Sequence, residues 1–329
     1  MKPSEPLHVA AAVLRDATGR VLLSRRPDHL HQGGLWEFPG GKVEAGETAV
    51  QGLARELWEE LGIHVGRCRP FICVDHAYPE LSVRLDVHEV LEWTGDPQPL
   101  EGQQLRWADP VTLDPATFPA ADVPVLTALQ LPPHYVISSV PSDRDDFFRR
   151  LDGCLERGER LLQLRAPGLA DAALASLVRA AVGRCERVGA RLMVNAAPEL
   201  ASHWGAHGIH LPARRLMSME RRPVGPDTLL AASCHDASEL AQAKMIGADF
   251  VVLSPLRPTP SHPDRSALGW ARFEALVASA GMPVYALGGM RPDDFEAVRA
   301  VGGFGVAGIG AFWEPPAKGP LINSGRSRW

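Results

Sequence analysis

Three glutamates, Glu56, Glu59 and Glu60, stand beside Arg55 in a segment that reads as one helix. Thr48 and Gln51 form a capping box at its start, and Gly62 supplies its end. Val50, Leu53, Ala54, Leu57, Trp58 and Leu61 follow the three- and four-residue spacing of a buried stripe, which leaves Arg55 and the glutamates together on the other face. Like charges at such spacings oppose helix formation by about 0.2–0.5 kcal/mol per pair even when solvated. Crowded into a cleft they need a cation. Carboxylate oxygens select hard ions such as Mg²⁺ or Mn²⁺, which in turn bridge phosphate oxygens. Taken alone, the same acids also suit a solvated helix face.

The spacing narrows this choice. Gly41, five residues, Glu47, seven residues, Arg55-Glu56-Leu57, Glu59-Glu60 and Gly62-Ile63 match every fixed position of the Nudix box. From Val9 to Leu129 the chain resembles MutT-type Nudix hydrolases. The likeness includes Ser24-Arg25-Arg26, Trp36-Glu37-Phe38-Pro39-Gly40-Gly41, Glu101-Gly102-Gln103 and Phe118-Pro119-Ala120-Ala121-Asp122. The resemblance implies a Nudix α/β/α sandwich that hydrolyses a nucleoside diphosphate linked to another group. Its nearer form implies nucleoside triphosphates such as 8-oxo-dGTP, attacked at the β-phosphorus to give the monophosphate and pyrophosphate. It also implies that Glu56, Glu59, Glu60 and the Gly40 carbonyl ligate Mg²⁺ (or Mn²⁺), which lowers the pKa of bound water. Glu101 is implied as a further ligand or as a group that orients or deprotonates water. Glu56 is the first expectation for the base and Glu101 the second, while Arg55 and Glu47 look like the pair that fixes the helix.

Base recognition departs from the MutT pattern. Asp122 stands where that pattern has an Asn able to accept from N7–H and donate to O6 of 8-oxoguanine; an ionised Asp only accepts. A carboxyl kept protonated by burial restores the donor, and an ionised one suits an oxidised adenine with its 6-amino group. Leu81 replaces an Arg of the pattern, which leaves Arg26 and Tyr78 as base-contacting candidates.

A second set of fragments follows at the ends of β-rich runs: Leu162-Gln163-Leu164-Arg165, Met193-Val194-Asn195, Gly208-Ile209-His210-Leu211, Ser233-Cys234-His235, Ser254 to Ser261, Ala286-Leu287-Gly288-Gly289-Met290 and Gly305 to Gly310. In order and spacing, residues 134–313 resemble thiamine-phosphate synthase and the TenI-type thiazole tautomerase. The departures fall on chemistry. The acidic metal positions of the synthase are Ala196 and Arg215, two of its cations are replaced by Pro167 and by the Ser261-His262 pair, and the TenI catalytic His is Pro255. What remains is a phosphate cradle of Gly288, Gly289, Gly308 and Gly310, with Arg165, Asn195, His210 and His235 as polar contacts. The expectation is a barrel that binds a phosphorylated, thiamine-related ligand without catalysing synthesis; turn glycines and core histidines are the plainer alternative.

These residues require two scaffolds. Strands at 7–14, 20–25 and 82–93 flank the acidic helix. After Pro132-Pro133, eight apolar runs (134–139, 160–166, 191–196, 208–212, 229–234, 250–255, 283–288 and 304–309) alternate with helical patterns such as Asp145–Arg157, Asp171–Val188, Ala237–Ile246 and Trp270–Ala280. That series predicts a (β/α)8 TIM barrel. The expected division is a Nudix domain over 1–131, the barrel over 132–316 and a flexible Pro-, Gly- and Ser-rich tail over 317–329.

The whole chain has 329 residues, 45% of them hydrophobic and 22% charged, a globular composition on the scale of two domains. Its net charge of −5 is divided: residues 1–132 carry 11 Lys and Arg against 19 Asp and Glu, the remainder 23 against 20. Neither part is basic enough for a nucleic-acid polymer, and no apolar run is long enough to span a bilayer. Five scattered cysteines without a CxxC pair suit buried thiols in a reducing compartment, so a cytoplasmic enzyme with small-molecule partners is expected. The sequence leaves the oligomeric state open.

Overall fold

The computed structural model describes residues 6–29, 31–139, 143–259 and 266–314. Ser261, His262 and the tail expected over 317–329 lie outside the described residues.

The N-terminal domain is built from β1 (Leu7–Leu14), β2 (Val21–Arg25), β3 (Trp36–Glu37), β4 (Gly40–Lys42), α1 (Ala49–Leu61), β5 (His64–Val65), β6 (Cys68–Ala77), β7 (Ser82–Val90), β8 (Trp93–Thr94), β9 (Leu105–Ala108) and α2 (Val123–Gln130). Its main sheet has the order β4-β1-β7-β6, with β1 and β7 parallel, and a second sheet has the order β3-β2-β9. Alternation along the central strand separates two cores, as a period of two requires. Ala10, Ala12 and Leu14 pack with Leu53, Leu57 and Leu61 of α1. Ala11 and Val13 face the other way, toward Val125, Leu126 and Leu129 of α2. The helices thus cover opposite sheet faces.

The capping box forms as expected: Gln51 N donates to Thr48 Oγ1 and Thr48 N donates to Gln51 Oε1. Gly62 ends α1 in the left-handed region at φ 69°. The predicted stripe needs correction at two places. Val50 is 42% and Trp58 50% exposed, because the buried side of α1 runs along Gly52, Leu53, Leu57 and Leu61. Trp58 instead stacks on His64, with ring centroids 4.2 Å apart.

The second domain is a closed barrel of eight parallel strands, β10 (His134–Ile137), β11 (Leu161–Leu164), β12 (Arg191–Val194), β13 (Gly208–Leu211), β14 (Leu229–Cys234), β15 (Phe250–Leu253), β16 (Val284–Ala286) and β17 (Gly305–Gly308), with β17 closing onto β10. The alternating helices are α3 (Arg144–Glu156), α4 (Asp171–Glu186), α5 (Pro198–His203), α6 (Ala213–Leu216), α7 (Ala237–Met245), α8 (Gly269–Ala280), α9 (Phe295–Ala300) and α10 (Gly310–Trp313). Outward residues such as Val136, Leu162, Val194, Ile209 and Val251 meet this helical shell. Inward residues, including Tyr135, Ile137, Met193, Phe250 and Tyr285, fill the barrel, and this interior core runs on into Phe71, Leu126 and Leu131 of the first domain. The N-terminal domain therefore seats against the end of the barrel where the strands begin. All five cysteines are free thiols.

Candidate functional site

Helix α1 carries its polar face toward β4. Arg55 organises it: Nε and Nη2 donate to Glu47 (2.9 and 3.1 Å), Nη2 to the Lys42 carbonyl (2.9 Å), and Nη1 to Glu56 (2.9 Å) and Glu59 (3.0 Å). The Arg55 hydrogen bonds hold the Glu47 carboxyl below its ordinary range, helped by Glu44 N. Gly40 and Gly41 are glycines for steric reasons. Gly40 has φ 142° and a Cβ there would sit 2.2 Å from the Ala10 carbonyl oxygen; a Cβ on Gly41 would sit 2.3 Å from the Glu56 carboxyl. An open cleft of about 720 Å³ runs past Gly41, Val43 and Glu56.

Glu60 shows what the grouping costs. Burial, then the charges of Glu37 and Glu56, with Glu101 adding to them, push its carboxyl up to about 8, opposed by the Gly40 N–H. That N–H donates to Glu60 at 3.3 Å. The loop bearing Glu101 hangs from the end of α1, since Gln103 Nε2 and Leu100 N both donate to the Glu60 carbonyl (2.9 and 3.0 Å). Among the described residues, no three His, Cys, Asp or Glu side chains close around a single point. Glu56 and Glu59 turn instead to Arg55. The donor set nevertheless fits a hard divalent ion: it is all oxygen, and burial together with the neighbouring carboxylate charges already drives one carboxyl toward neutrality.

The base-contacting candidates lie together on the neighbouring elements. Asp122 is 6% exposed, and burial, then the charge of Glu37, pushes its carboxyl up to about 8 against the opposing pull of Arg26. Arg26 pairs with Glu37 and donates from Nε to the His31 carbonyl (3.0 Å). Tyr78 accepts from the Ala121 N–H at 3.1 Å, next to Asp122, and its ring is wedged between His76 and His31 at 4.4 and 5.2 Å. Glu37 was not singled out from sequence. Its signal was present in the Trp-Glu-Phe-Pro-Gly-Gly run, but only the fold shows that it pairs with Arg26 and that its charge acts on both Asp122 and Glu60.

In the barrel, Arg165, Asn195, His210 and His235 stand at or just beyond the C-terminal ends of β11, β12, β13 and β14. His210 lies in a buried chain: Gln163 Nε2 donates to the Tyr135 hydroxyl (2.8 Å), which meets His210 Nδ1 (3.2 Å), while His210 Nε2 meets Ser233 Oγ (2.7 Å). Burial, then the Arg165 charge, lowers its pKa to about 3, so the ring is neutral at physiological pH. Sequence reading named His210, placed Gln163 in a fragment without giving it a role, and missed Tyr135. The backbone N–H and Nδ1 of His235 both bond Glu239 (2.7 and 2.8 Å). Of the cradle glycines, Gly288 faces Pro255 and Gly289 faces Arg257 closely, while Gly308 lies under the Phe312 ring; a Cβ on Gly310 would meet open space. Arg257 is taken up by Asp294 at 2.8 and 3.0 Å.

Comparison with known proteins adds an independent line. Residues 10–128 match the family model described as NUDIX domain, and residues 134–312 match the model described as thiamine monophosphate synthase. The chain belongs to both families. Its Nudix domain is 43% identical to an 8-oxo-dGTP diphosphatase of Proteus vulgaris over 29% of this chain and 86% of that relative. The same domain is 35% identical to an 8-oxo-dGTP diphosphatase of Escherichia coli over 38% of this chain and 96% of that relative. The synthase-type barrel is 30% identical to a putative thiamine-phosphate synthase 2 of Aquifex aeolicus over 56% of this chain and all of that relative. The chain is thus a Nudix hydrolase acting on phosphoric anhydrides, joined to a thiamine-phosphate synthase-like barrel, and Nudix hydrolases generally need a divalent metal. No helix among the described residues is long and apolar enough to cross a membrane.

Proposed function

We propose that the chain is a Mg²⁺-dependent pyrophosphohydrolase of oxidised nucleoside triphosphates, with 8-oxo-dGTP preferred near neutral pH. The observation that carries this reading is the buried Asp122 carboxyl, held toward its protonated form beside Arg26, Glu37 and Tyr78. A neutral carboxyl accepts from N7–H and donates to O6 together, a pair of contacts that unmodified guanine, lacking N7–H, does not satisfy. Glu56, Glu59, Glu60, Glu101 and the Gly40 carbonyl would hold Mg²⁺ or Mn²⁺, which shields the polyphosphate and acidifies water. Glu56 takes the proton of the attacking water. Arg55, anchored on Glu47, fixes the face from which it does so.

The working boundary of the two units is Pro132-Pro133. The barrel, with Ala196 and Arg215 at the acidic metal positions of a synthase, serves as a binding domain for a phosphorylated, thiamine-related ligand. Gly310, with open space where a Cβ would stand, lies at the same end of the barrel as Arg165 and His235, which favours this over a purely structural role. A second reading, hydrolysis of damaged thiamine-type pyrophosphates, draws on the same barrel. Pyrophosphate release with Mg²⁺ from 8-oxo-dGTP, dGTP, oxidised adenine nucleotides and thiamine pyrophosphate separates the two. Equal kcat/KM for 8-oxo-dGTP and dGTP would sink the sanitation reading.

A further inference from the structure

Strand β6, the edge of the main sheet, packs against both the turn that carries Asp122 and the barrel. An edge strand offers unpaired backbone groups and is ordinarily the least restrained part of a sheet. Here its flank is occupied by α8 and α9 of the barrel. The pairing of β6 with β7 breaks register between Pro70 and Ile72, a bulge that leaves Phe71 without a partner opposite. Phe71 meets Phe304 of the barrel edge-on at 5.8 Å. The guanidinium of Arg299, 2% exposed, lies over both rings at 5.4 and 5.7 Å. It also donates to Glu89 of β7 (3.4 Å) and to the Gly303 carbonyl (3.2 Å). Arg69 of β6 bridges the same Glu89 to Glu296 of α9, each at 2.9 Å. Arg84 of β7 reaches the Ala278 carbonyl of α8 (3.3 Å).

The far end of this clamped strand leads straight into the base pocket. His76 and Ala77 finish β6, Tyr78 N closes the turn onto the Leu81 carbonyl (2.8 Å), and the Tyr78 hydroxyl receives the Ala121 N–H beside Asp122. The barrel is near here too: His76 is held below the ordinary histidine range first by burial and then by the charge of Lys244 on α7.

From this continuity we infer that the barrel positions the nucleotide pocket of the Nudix domain, with Arg299 as the positioning residue that locks β6 and, through Tyr78, Asp122. It rests on the reading of Asp122 and Tyr78 as base contacts given above. The barrel is then part of the hydrolase even if its own mouth stays empty.

The test uses the full-length chain with 8-oxo-dGTP and dGTP as probes. Arg299→Met keeps the length of the side chain and removes its charge and hydrogen bonds. It is expected to raise KM for 8-oxo-dGTP about tenfold and to narrow the preference over dGTP, with kcat within about twofold of the parent. Arg299→Lys is expected to recover part of the loss. Leu151→Ala, in the barrel shell on α3, controls for lost stability alone and should leave KM and the preference unchanged. If Arg299→Met fails to fold, Glu296→Gln reads the same clamp from the surface and should shift KM in the same direction. Parental KM and preference in the folded Arg299 or Glu296 variants, or an equal shift in Leu151→Ala, would overturn the inference. A parent that does not prefer 8-oxo-dGTP counts against the base reading instead, and the KM comparison then proceeds on whichever nucleotide the parent hydrolyses.

Discussion

A carboxyl group at position 122 has two hydrogen-bonding faces, and pH chooses between them. With its pKa raised to about 8, Asp122 is protonated below that value and offers one donor and one acceptor; above it, the group only accepts. Raising the pH through about 8 should therefore lower the kcat/KM ratio of 8-oxo-dGTP to an oxidised adenine nucleotide. Asp122→Asn, which cannot titrate, should flatten that ratio; an unchanged slope in the variant would show that another group sets it. At the catalytic end, Glu56→Gln should reduce kcat by about 10²–10⁴-fold while leaving the fold intact, as measured by pyrophosphate release and circular dichroism. The motif made Glu56 legible because its neighbours are fixed by spacing along one helix. Glu37 was not, since its proximity to Asp122 and Glu60 arises only when β3 is placed between α1 and the turn before α2.

At the scale of elements, local rules placed α1 almost to the residue. Both capping-box hydrogen bonds are present, so Thr48→Ala should cost about 1 kcal/mol in chemical denaturation. Gly62→Ala should cost about 1–2 kcal/mol, because φ 69° is strained for any residue with a Cβ. Gly40→Ala is more severe. Its Cβ would fall 2.2 Å from the Ala10 carbonyl oxygen in the β1–β4 pairing, and hydrolysis should be lost even where the protein remains soluble. The barrel strands were equally readable, each a short apolar run between helical patterns; β14 matches at both ends and the others are trimmed by one or two residues where pairing stops. The strand β6 was missed. Its Cys-Arg-Pro-Phe-Ile-Cys-Val-Asp-His-Ala run alternates poorly, with a proline and a bulge, and Phe71 is buried through a contact with a residue more than two hundred positions away. Nothing local announces such a partner. Val50 and Trp58 failed in the opposite sense, as apolar residues at the right spacing that stay 42% and 50% exposed, Trp58 with one face on His64.

For the whole molecule, the decisive fact is that the barrel interior and the α2 side of the Nudix domain form one apolar core, joined around Leu131, Tyr135, Phe71 and Phe304. Two units that share a core should melt together. Calorimetry of the full chain is expected to give a single transition, and Arg299→Ala, which takes one of three cations from the partly buried Glu89 and empties a buried site, should destabilise both domains by about 3 kcal/mol. Two separated transitions in the parent would contradict this. The seating also fixes direction. The Nudix domain rests where the barrel strands begin, at Pro132, Arg191 and Phe304, and the barrel's candidate ligand groups sit where the strands end. A compound leaving one candidate site is therefore expected to enter bulk solvent before it reaches the other. Any reaction that used both candidate sites in sequence should then show a lag and yield its intermediate to an added scavenger, as two sites joined in equal numbers but without direct transfer would.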